Sequence, residues 1–75
     1  MANEKKLQEL RHALGRNIQQ IRKTKGLTQE ELAEKAGLAL TSVAYIEAGY
    51  NFPAFGTMYK ISKVLGIKIK DLIPF

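Results

Sequence analysis

The side chains that could perform catalysis are few in this chain, and they do not form a catalytic arrangement. His12 is the only histidine, cysteine is absent, and we expect His12 to be solvated on a helix crowded with charges. The neighbouring Glu30, Glu31 and Glu34 are typical of a capped, solvated helix face rather than a catalytic pair. The sequence offers no nucleophile–base pair, metal-ligand cluster or glycine-rich phosphate loop. It therefore predicts a binding protein and not an enzyme, with no cofactor, metal or small-molecule ligand.

The charge of the chain favours a polyanionic partner. Over 75 residues the formal net charge is +5, and the isoelectric point is about 9.7. Residues 1–25 carry +5 and residues 51–75 carry +3, whereas residues 26–50 carry −3. The hydrophobic content of 45% is that of a folded globular domain, and no apolar run approaches the ~20 residues of a membrane span. We expect one domain over residues 1–75, in a cytoplasmic, nucleoid-associated protein.

Five helices must position the binding residues. Apolar residues recur every three or four positions, and glycine or proline interrupts the pattern between successive segments. Thr28 and Glu31 have the spacing of a capping box at the start of the second helix. The predicted helices span residues 5–25, 28–36, 40–48, 55–65 and 69–73. The sequence therefore predicts an all-α fold, a compact five-helix bundle.

Residues 28–47 have the residue types that a helix-turn-helix requires. Two short helices joined by a turn of three or four residues cross steeply, so their backbones must come close. Ala33 provides a small residue at the crossing, and Gly37 provides the glycine of the turn. The apolar residues expected to hold both helices to the core are Leu32, Ala36, Leu38, Val43 and Ile46. The pattern predicts that the second of these helices, at about residues 40–47, faces DNA.

The chain resembles the Xre/Cro, phage-repressor-like family of helix-turn-helix transcription regulators. The resemblance runs from about Leu14 to Leu72. Its marks are Ile21-Arg22, the run from Gly26 to Ala33, Ile46-Glu47-Ala48-Gly49, Pro53 and Leu65-Gly66-Ile67. It implies a lambda-repressor-like bundle whose third helix lies in the major groove of DNA. It also implies an ion pair between Arg22 and Glu47 that fixes the third helix relative to the first.

The resemblance further implies that the amide of Gln29, at the start of the second helix, reaches a DNA phosphate. The physical chemistry agrees, because unpaired N–H groups at a helix N-terminus attract phosphate oxygens. The predicted phosphate-binding residues are Gln29, Thr28, Ser42, Arg22, Lys25, Tyr50 and Asn51.

Four residues of the third helix, Leu40, Thr41, Ala44 and Tyr45, align with the base-reading positions of this family. None of them has the fork of an asparagine, glutamine or arginine that reads a base edge through two hydrogen bonds. Thr41 and Tyr45 can form single hydrogen bonds, and Leu40 or Ala44 can contact a thymine methyl. Such a surface could read DNA partly by shape and methyl contacts, or it could bind a protein.

Two helix starts lack the usual cap. Ala39 and Ala54 stand where this family often has serine, and alanine at an N-cap costs about 1 kcal/mol. We expect frayed starts for the third and fourth helices, or an acceptor supplied by a partner or a phosphate.

The sequence thus predicts a bacterial or phage transcription regulator, a repressor or autoregulator, that binds a pseudo-palindromic operator as a homodimer. A lone domain of this size reads only about half of such a site. The predicted dimer contacts are Leu7, Phe52, Ile69, Ile73 and Phe75. The alternative is a helix-turn-helix that works mainly through a protein partner, as an antitoxin or a scaffold adaptor. The apolar third helix and the −3 charge of residues 26–50 favour that alternative.

Overall fold

The computed structural model describes residues 2–75, so Met1 of the predicted domain lies outside it. The described residues form α1 (Ala2–Thr24), α2 (Gln29–Ala36), α3 (Leu40–Ala48), α4 (Phe55–Leu65) and α5 (Ile69–Leu72). The all-α prediction is confirmed, and each predicted helix is present. Four bounds differ from the prediction. The first helix begins at Ala2 and ends at Thr24, Thr28 precedes α2 as its N-cap, and α5 ends at Leu72. None of the described helices is long and apolar enough to cross a membrane.

The first helix is the longest element and extends along nearly the whole length of the molecule. Its 23 residues correspond to about 35 Å at 1.5 Å per residue, close to the longest dimension of the molecule, 37 Å. Only its second half enters the core, where Leu14 and Ile18 are fully buried. Leu7, two turns earlier, is exposed. The apolar stripe of α1 therefore extends beyond the part that the other helices cover.

The core draws side chains from all five helices. Its members are Leu14, Ile18, Leu32, Ala33, Val43, Ile46, Ile61, Leu65 and Leu72. Helices α2, α3 and α5 have eight, nine and four residues, which is too short for stability in isolation. Their stability must come from this shared packing.

Helices α1 and α3 cross at very short range. A Cβ atom at Gly15 would lie 2.5 Å from the carbonyl oxygen of Ile46 and 2.6 Å from that of Glu47. At the end of α3, a Cβ atom at Gly49 would lie 2.6 Å from Nδ1 of His12. The expectation that His12 is solvated is therefore wrong. Its ring is half-buried against the backbone of Gly49, because α1 passes directly over the end of α3.

A side chain of α1 secures the short last helix. The Asn17 Nδ2 group donates hydrogen bonds to the carbonyl oxygens of Leu72, at 2.8 Å, and Asp71, at 3.1 Å. Carbonyl groups in the last turn of a helix have no partner within the helix, so Asn17 satisfies two of them. Together with the fully buried Leu72, this contact fixes α5 on α1.

The close crossing of α1 and α3 can be tested by adding one methyl group. We expect Gly15→Ala to lower the free energy of unfolding by about 1–3 kcal/mol, because the new Cβ atom must displace the backbone of α3. The measurement is urea denaturation followed by circular dichroism.

The matched control is Gly56→Ala in α4, where an added Cβ atom meets no described atom within 4 Å. There the better helix propensity of alanine should raise stability by up to about 1 kcal/mol. Equal stability of the two variants would contradict the close crossing.

Candidate nucleic-acid interface

The α2–turn–α3 segment begins with a complete capping box. The backbone N–H of Glu31 donates to Oγ1 of Thr28 at 3.0 Å, and the backbone N–H of Thr28 donates to Oε1 of Glu31 at 2.9 Å. Hydrogen bonding of the Glu31 carboxylate by Thr28, first by its backbone N–H and then by its side chain, lowers the pKa of Glu31 below its ordinary value, since it favours the charged form. The start of α2 is therefore fixed locally by its own sequence.

The turn between α2 and α3 is fixed by a left-handed glycine. Gly37 has φ 68° and ψ 35°, a conformation that disfavours residues with a Cβ atom. The next N–H group, that of Leu38, donates to the carbonyl oxygen of Ala33 at 2.8 Å. The chain then enters α3 after Ala39, whose side chain has no acceptor for a capping hydrogen bond. The angle at which α3 leaves the turn thus depends on Gly37 and on packing, and not on a cap.

A buried ion pair fixes the far end of α3 to α1. The Arg22 Nε group donates to Oε2 of Glu47 at 2.7 Å, and Arg22 Nη2 donates to Oε1 at 2.9 Å. The two side chains are only 7% and 1% exposed. This paired geometry matches the fork of a guanidinium to the two oxygens of a carboxylate. The ion pair expected from the family resemblance is present.

Glu47 also receives a hydrogen bond from α2. The Gln29 Nε2 group donates to its Oε1 oxygen at 2.9 Å, so one carboxylate accepts bonds from two other helices. The third nitrogen of Arg22, Nη1, donates to the carbonyl oxygen of Leu27 at 2.7 Å, in the link between α1 and α2. The hydrogen bond and charge of Glu47 raise the pKa of Arg22 above its ordinary value, although burial opposes this. The ion pair with Glu47 therefore favours the charged form of Arg22.

The opposite side of α3 faces solvent. Val43, Ile46 and Glu47 are buried, whereas Leu40 is 45% exposed and Tyr45 is 52% exposed. The predicted base-reading residues comprise these two with Thr41, which is exposed, and Ala44, which is half-buried. All four therefore lie outside the core.

A groove lies between α3 and the loop that leads into α4. Its volume is about 360 Å³, and its lining residues are Leu38, Thr41, Ser42, Tyr45, Ile46, Asn51, Phe52, Pro53, Ala54 and Thr57. The Tyr45 and Tyr50 rings stand next to each other, with centroids 5.4 Å apart and planes tilted by 58°. Thr57, in the first turn of α4, also lines this groove, and it was not predicted as a site residue because its place beside α3 depends on how the two helices pack.

A family model described as helix-turn-helix matches residues 18–72, which include the capping box, the turn, the ion pair and α5. The chain belongs to this family. The resemblance to Xre/Cro regulators is thereby confirmed.

Members of the helix-turn-helix family with sequences or structures similar to this chain include transcription regulators. One is an uncharacterized HTH-type transcriptional regulator of Archaeoglobus fulgidus, 38% identical over 58 residues, which cover 77% of this chain and 83% of the relative. The restriction-modification controller protein C.AhdI of Aeromonas hydrophila superposes with a TM-score of 0.82 at 28% identity, over 84% of this chain and 96% of its own.

A third helix-turn-helix neighbour was solved with DNA. It is SinR of Bacillus subtilis, a master regulator for biofilm formation, with a TM-score of 0.76 and 38% identity. The match covers 79% of this chain and 95% of the SinR chain in the DNA complex.

All of the predicted phosphate-binding residues except Arg22 are at least partly exposed. Gln29 is half-buried, and the exposed candidates are Thr28, Ser42, Lys25, Tyr50 and Asn51. Arg22 differs from them, because it is 5% exposed and all three of its nitrogens donate to Glu47 or Leu27. We therefore omit Arg22 from the proposed contacts and assign it to the scaffold.

The predicted dimer contacts are unequally exposed. Phe75, Leu7 and Phe52 are exposed, whereas Ile69 and Ile73 are half-buried, and Ile73 packs against the core. The Arg11 guanidinium lies 5.7 Å from the centroid of the Phe52 ring.

An aromatic row on α4, whose residues the sequence suggested as core residues or loop anchors, is exposed to solvent instead. Phe55 and Tyr59 are four residues apart and exposed, and Lys63 lies 6.0 Å from the centroid of the Tyr59 ring. The spacing of Phe55, Tyr59 and Lys63 is the signal that could have identified this row. Within residues 2–75 no group of three or more histidine, aspartate or glutamate residues could hold a metal ion.

The buried ion pair predicts a large effect from removing one charge. We expect Glu47→Gln to lower the free energy of unfolding by about 3–5 kcal/mol, because Arg22 would remain buried without a counter-charge. Urea denaturation followed by circular dichroism measures this change.

The control is Glu34→Gln on the exposed face of α2, which should change stability by no more than about 0.5 kcal/mol. If the two variants were equally stable, the Arg22–Glu47 pair would not fix α3 on α1.

Proposed function

We propose that this chain is a transcriptional regulator that binds double-stranded DNA through α3 and acts by binding rather than catalysis. The observation that carries this proposal is the way in which α3 is held. Its only charged side chain, Glu47, is buried in an ion pair with α1, while the opposite face of the helix is presented to solvent. A helix fixed in this way can enter the major groove as a rigid body, since the groove is about as wide as an α-helix.

The charge of the surface agrees with a DNA partner. The net charge is +5, and the paired carboxylate of Glu47 adds no negative charge to the exposed face of α3. The DNA complex of SinR, a neighbour that shares this fold, supports the same function for this chain.

Contacts to the DNA backbone are assigned to residues on either side of α3. The Gln29 amide uses one of its two N–H groups to bind Glu47, which leaves the other N–H group for a phosphate oxygen. Lys25 and Thr28 precede it in the chain, and Tyr50 and Asn51 follow α3. In this arrangement Glu47 fixes the orientation of Gln29 before DNA arrives.

We further propose that two copies bind a pseudo-palindromic operator. Each copy would contact one half-site, and in this type of complex the half-sites lie about 34–36 Å apart along the DNA. The exposed apolar side chains outside α3, Phe75 and Leu7 among them, supply surface for the contact between copies.

Binding to duplex DNA tests the function directly. The affinity should fall steeply with salt, by about a thousandfold between 50 and 200 mM for six phosphate contacts. Gln29→Ala should weaken binding to a selected duplex and to an unrelated duplex by a similar factor of about ten, because a phosphate contact carries no sequence information. Fluorescence anisotropy with a duplex selected from a random library measures both effects.

Gln8→Ala, an exposed glutamine near the start of α1, is the control and should leave both affinities unchanged. Failure to bind any duplex at 50 mM salt would refute the function. A change of sequence preference in Gln29→Ala would instead refute the role assigned to that residue.

The proposed dimer predicts association at micromolar concentration. Phe75→Ala should weaken it, because the ring is 59% exposed and its removal leaves the core intact. Sedimentation velocity, free and with DNA, measures the assembly.

Phe55→Ala, at a residue 69% exposed on α4, is the matched control for the dimer contact. If Phe55→Ala weakened the association more than Phe75→Ala, the dimer contact would lie on α4 instead. A monomer in both conditions would refute the dimer.

A second candidate function is binding to a protein partner. It is favoured by the apolar character of the exposed face of α3, on which both Leu40 and Tyr45 are accessible to solvent. The duplex titration separates the two candidates, since a protein-directed surface would give no salt-dependent DNA binding.

A further inference from the structure

The exposed face of α3 is largely apolar. Recognition of bases by pairs of hydrogen bonds would need amide or guanidinium groups at these positions. Between Leu40 and Ala48 the sequence has no Asn, Gln, Lys, Arg or Asp, and the carboxylate of Glu47 is buried against Arg22. The hydrogen-bonding groups left on this helix are the hydroxyls of Thr41, Ser42 and Tyr45. Helix α3 therefore cannot recognise a base edge through two hydrogen bonds from one side chain.

The carbon atoms on this face form an ordered surface. Leu40 and Ala44 are four residues apart, and so they lie on consecutive turns of the same side of α3. Thr41 and Tyr45 form a parallel row beside them, and the Tyr45 ring stands against that of Tyr50. Four residues advance a helix by about 6 Å, close to the ~6.8 Å of two base-pair steps. The surface thus has the length to contact base pairs that lie two steps apart.

The major groove has an apolar group that fits such a surface. Thymine presents its C5-methyl group there, and cytosine with a C5-methyl group presents the same feature. We propose that α3 selects its DNA site through the C5-methyl groups of pyrimidines, which Leu40, Ala44 and Tyr45 contact. This inference rests on the proposed function, namely that α3 binds duplex DNA.

The surroundings of this face favour DNA as the occupant. Burial of Glu47 removes the only charge of α3, so no side chain of that helix repels the phosphates. Two polar side chains, Ser42 and Asn51, line the adjoining groove together with Thr41 and Tyr45. The major groove of DNA matches this arrangement. Its methyl-bearing base edges can contact the apolar face of α3, and the phosphates on either side can contact the polar residues.

The experiment removes the methyl groups without changing base pairing. A duplex is first selected from a random library, and each thymine in it is then replaced in turn by deoxyuridine. Each contacted methyl should be worth about a fourfold loss of affinity, from the ~0.8 kcal/mol of one buried CH₂ group. A change from thymine to cytosine at such a position also removes the methyl group and should lower the affinity. 5-Methylcytosine at the same position restores the methyl group and should recover part of that loss.

Variants of the protein assign the effect to α3. In Leu40→Ala, the ratio of affinities for the thymine and deoxyuridine duplexes should fall towards one at one or more positions. Phe55→Ala, an exposed apolar residue outside α3, is the control and should leave this ratio unchanged. Circular dichroism checks that Leu40→Ala is folded, which is expected because Leu40 lies outside the core.

The outcomes distinguish this inference from the function on which it rests. Tight, selective duplex binding with equal affinities for thymine and deoxyuridine would overturn methyl recognition and leave the proposed function intact. A loss with deoxyuridine that Leu40→Ala and Tyr45→Ala do not alter would overturn the assignment to α3. Absence of binding to every duplex would overturn both proposals.

Discussion

The carboxylate of Glu47 is the point at which the first three helices meet. It accepts two hydrogen bonds from Arg22 in α1 and one from Gln29 in α2, while its own backbone belongs to α3. Charged groups are costly to bury, and the cost is offset here because both oxygens are paired with nearby donors. Since Arg22 also binds the carbonyl oxygen of Leu27, the same cluster fixes the link between α1 and α2. The orientation of the solvent-facing helix thus depends on one buried, charge-assisted network.

Helix α3 has little intrinsic stability of its own. It has nine residues, it starts after an alanine that cannot cap it, and four of its residues are β-branched or aromatic. Its position is imposed from outside, by Val43 and Ile46 in the core and by the backbone contact with Gly15. Burial at one face, rather than helix propensity, therefore determines where its other face points.

Much of this arrangement could be predicted from the sequence, because it depends on residues close together in the chain. The capping box at Thr28 and the glycine turn at Gly37 are local signals, and the structure has both. The Arg22–Glu47 pair joins residues 25 positions apart, and only the resemblance to a family made it predictable. The site residues of α3 could be named as exposed positions, but their contacts with DNA remain predictions.

Other features could not be predicted because they depend on how distant segments pack. Gly15 lies inside a helix and gives no turn signal, so its contact with α3 becomes visible only when the helices are placed together. The same holds for His12, whose neighbour is Gly49, and for Asn17, whose partners are 54 and 55 residues away. The exposure of the aromatic row on α4 could not be predicted for a different reason, because the four-residue spacing of Phe55 and Tyr59 is equally typical of a buried face.

One face of α3 is constrained by packing against the core, whereas the other face is not. This difference affects how the sequences of such proteins can diverge. Val43, Ile46 and Glu47 are tied to the rest of the fold, so a change at any of them must be matched by its neighbours. Leu40, Thr41 and Tyr45 contribute little to the core, and so they can be exchanged one at a time with little loss of stability. Under the proposed function, a descendant of this chain can therefore acquire a new DNA target through a few substitutions, while the scaffold it inherits stays the same.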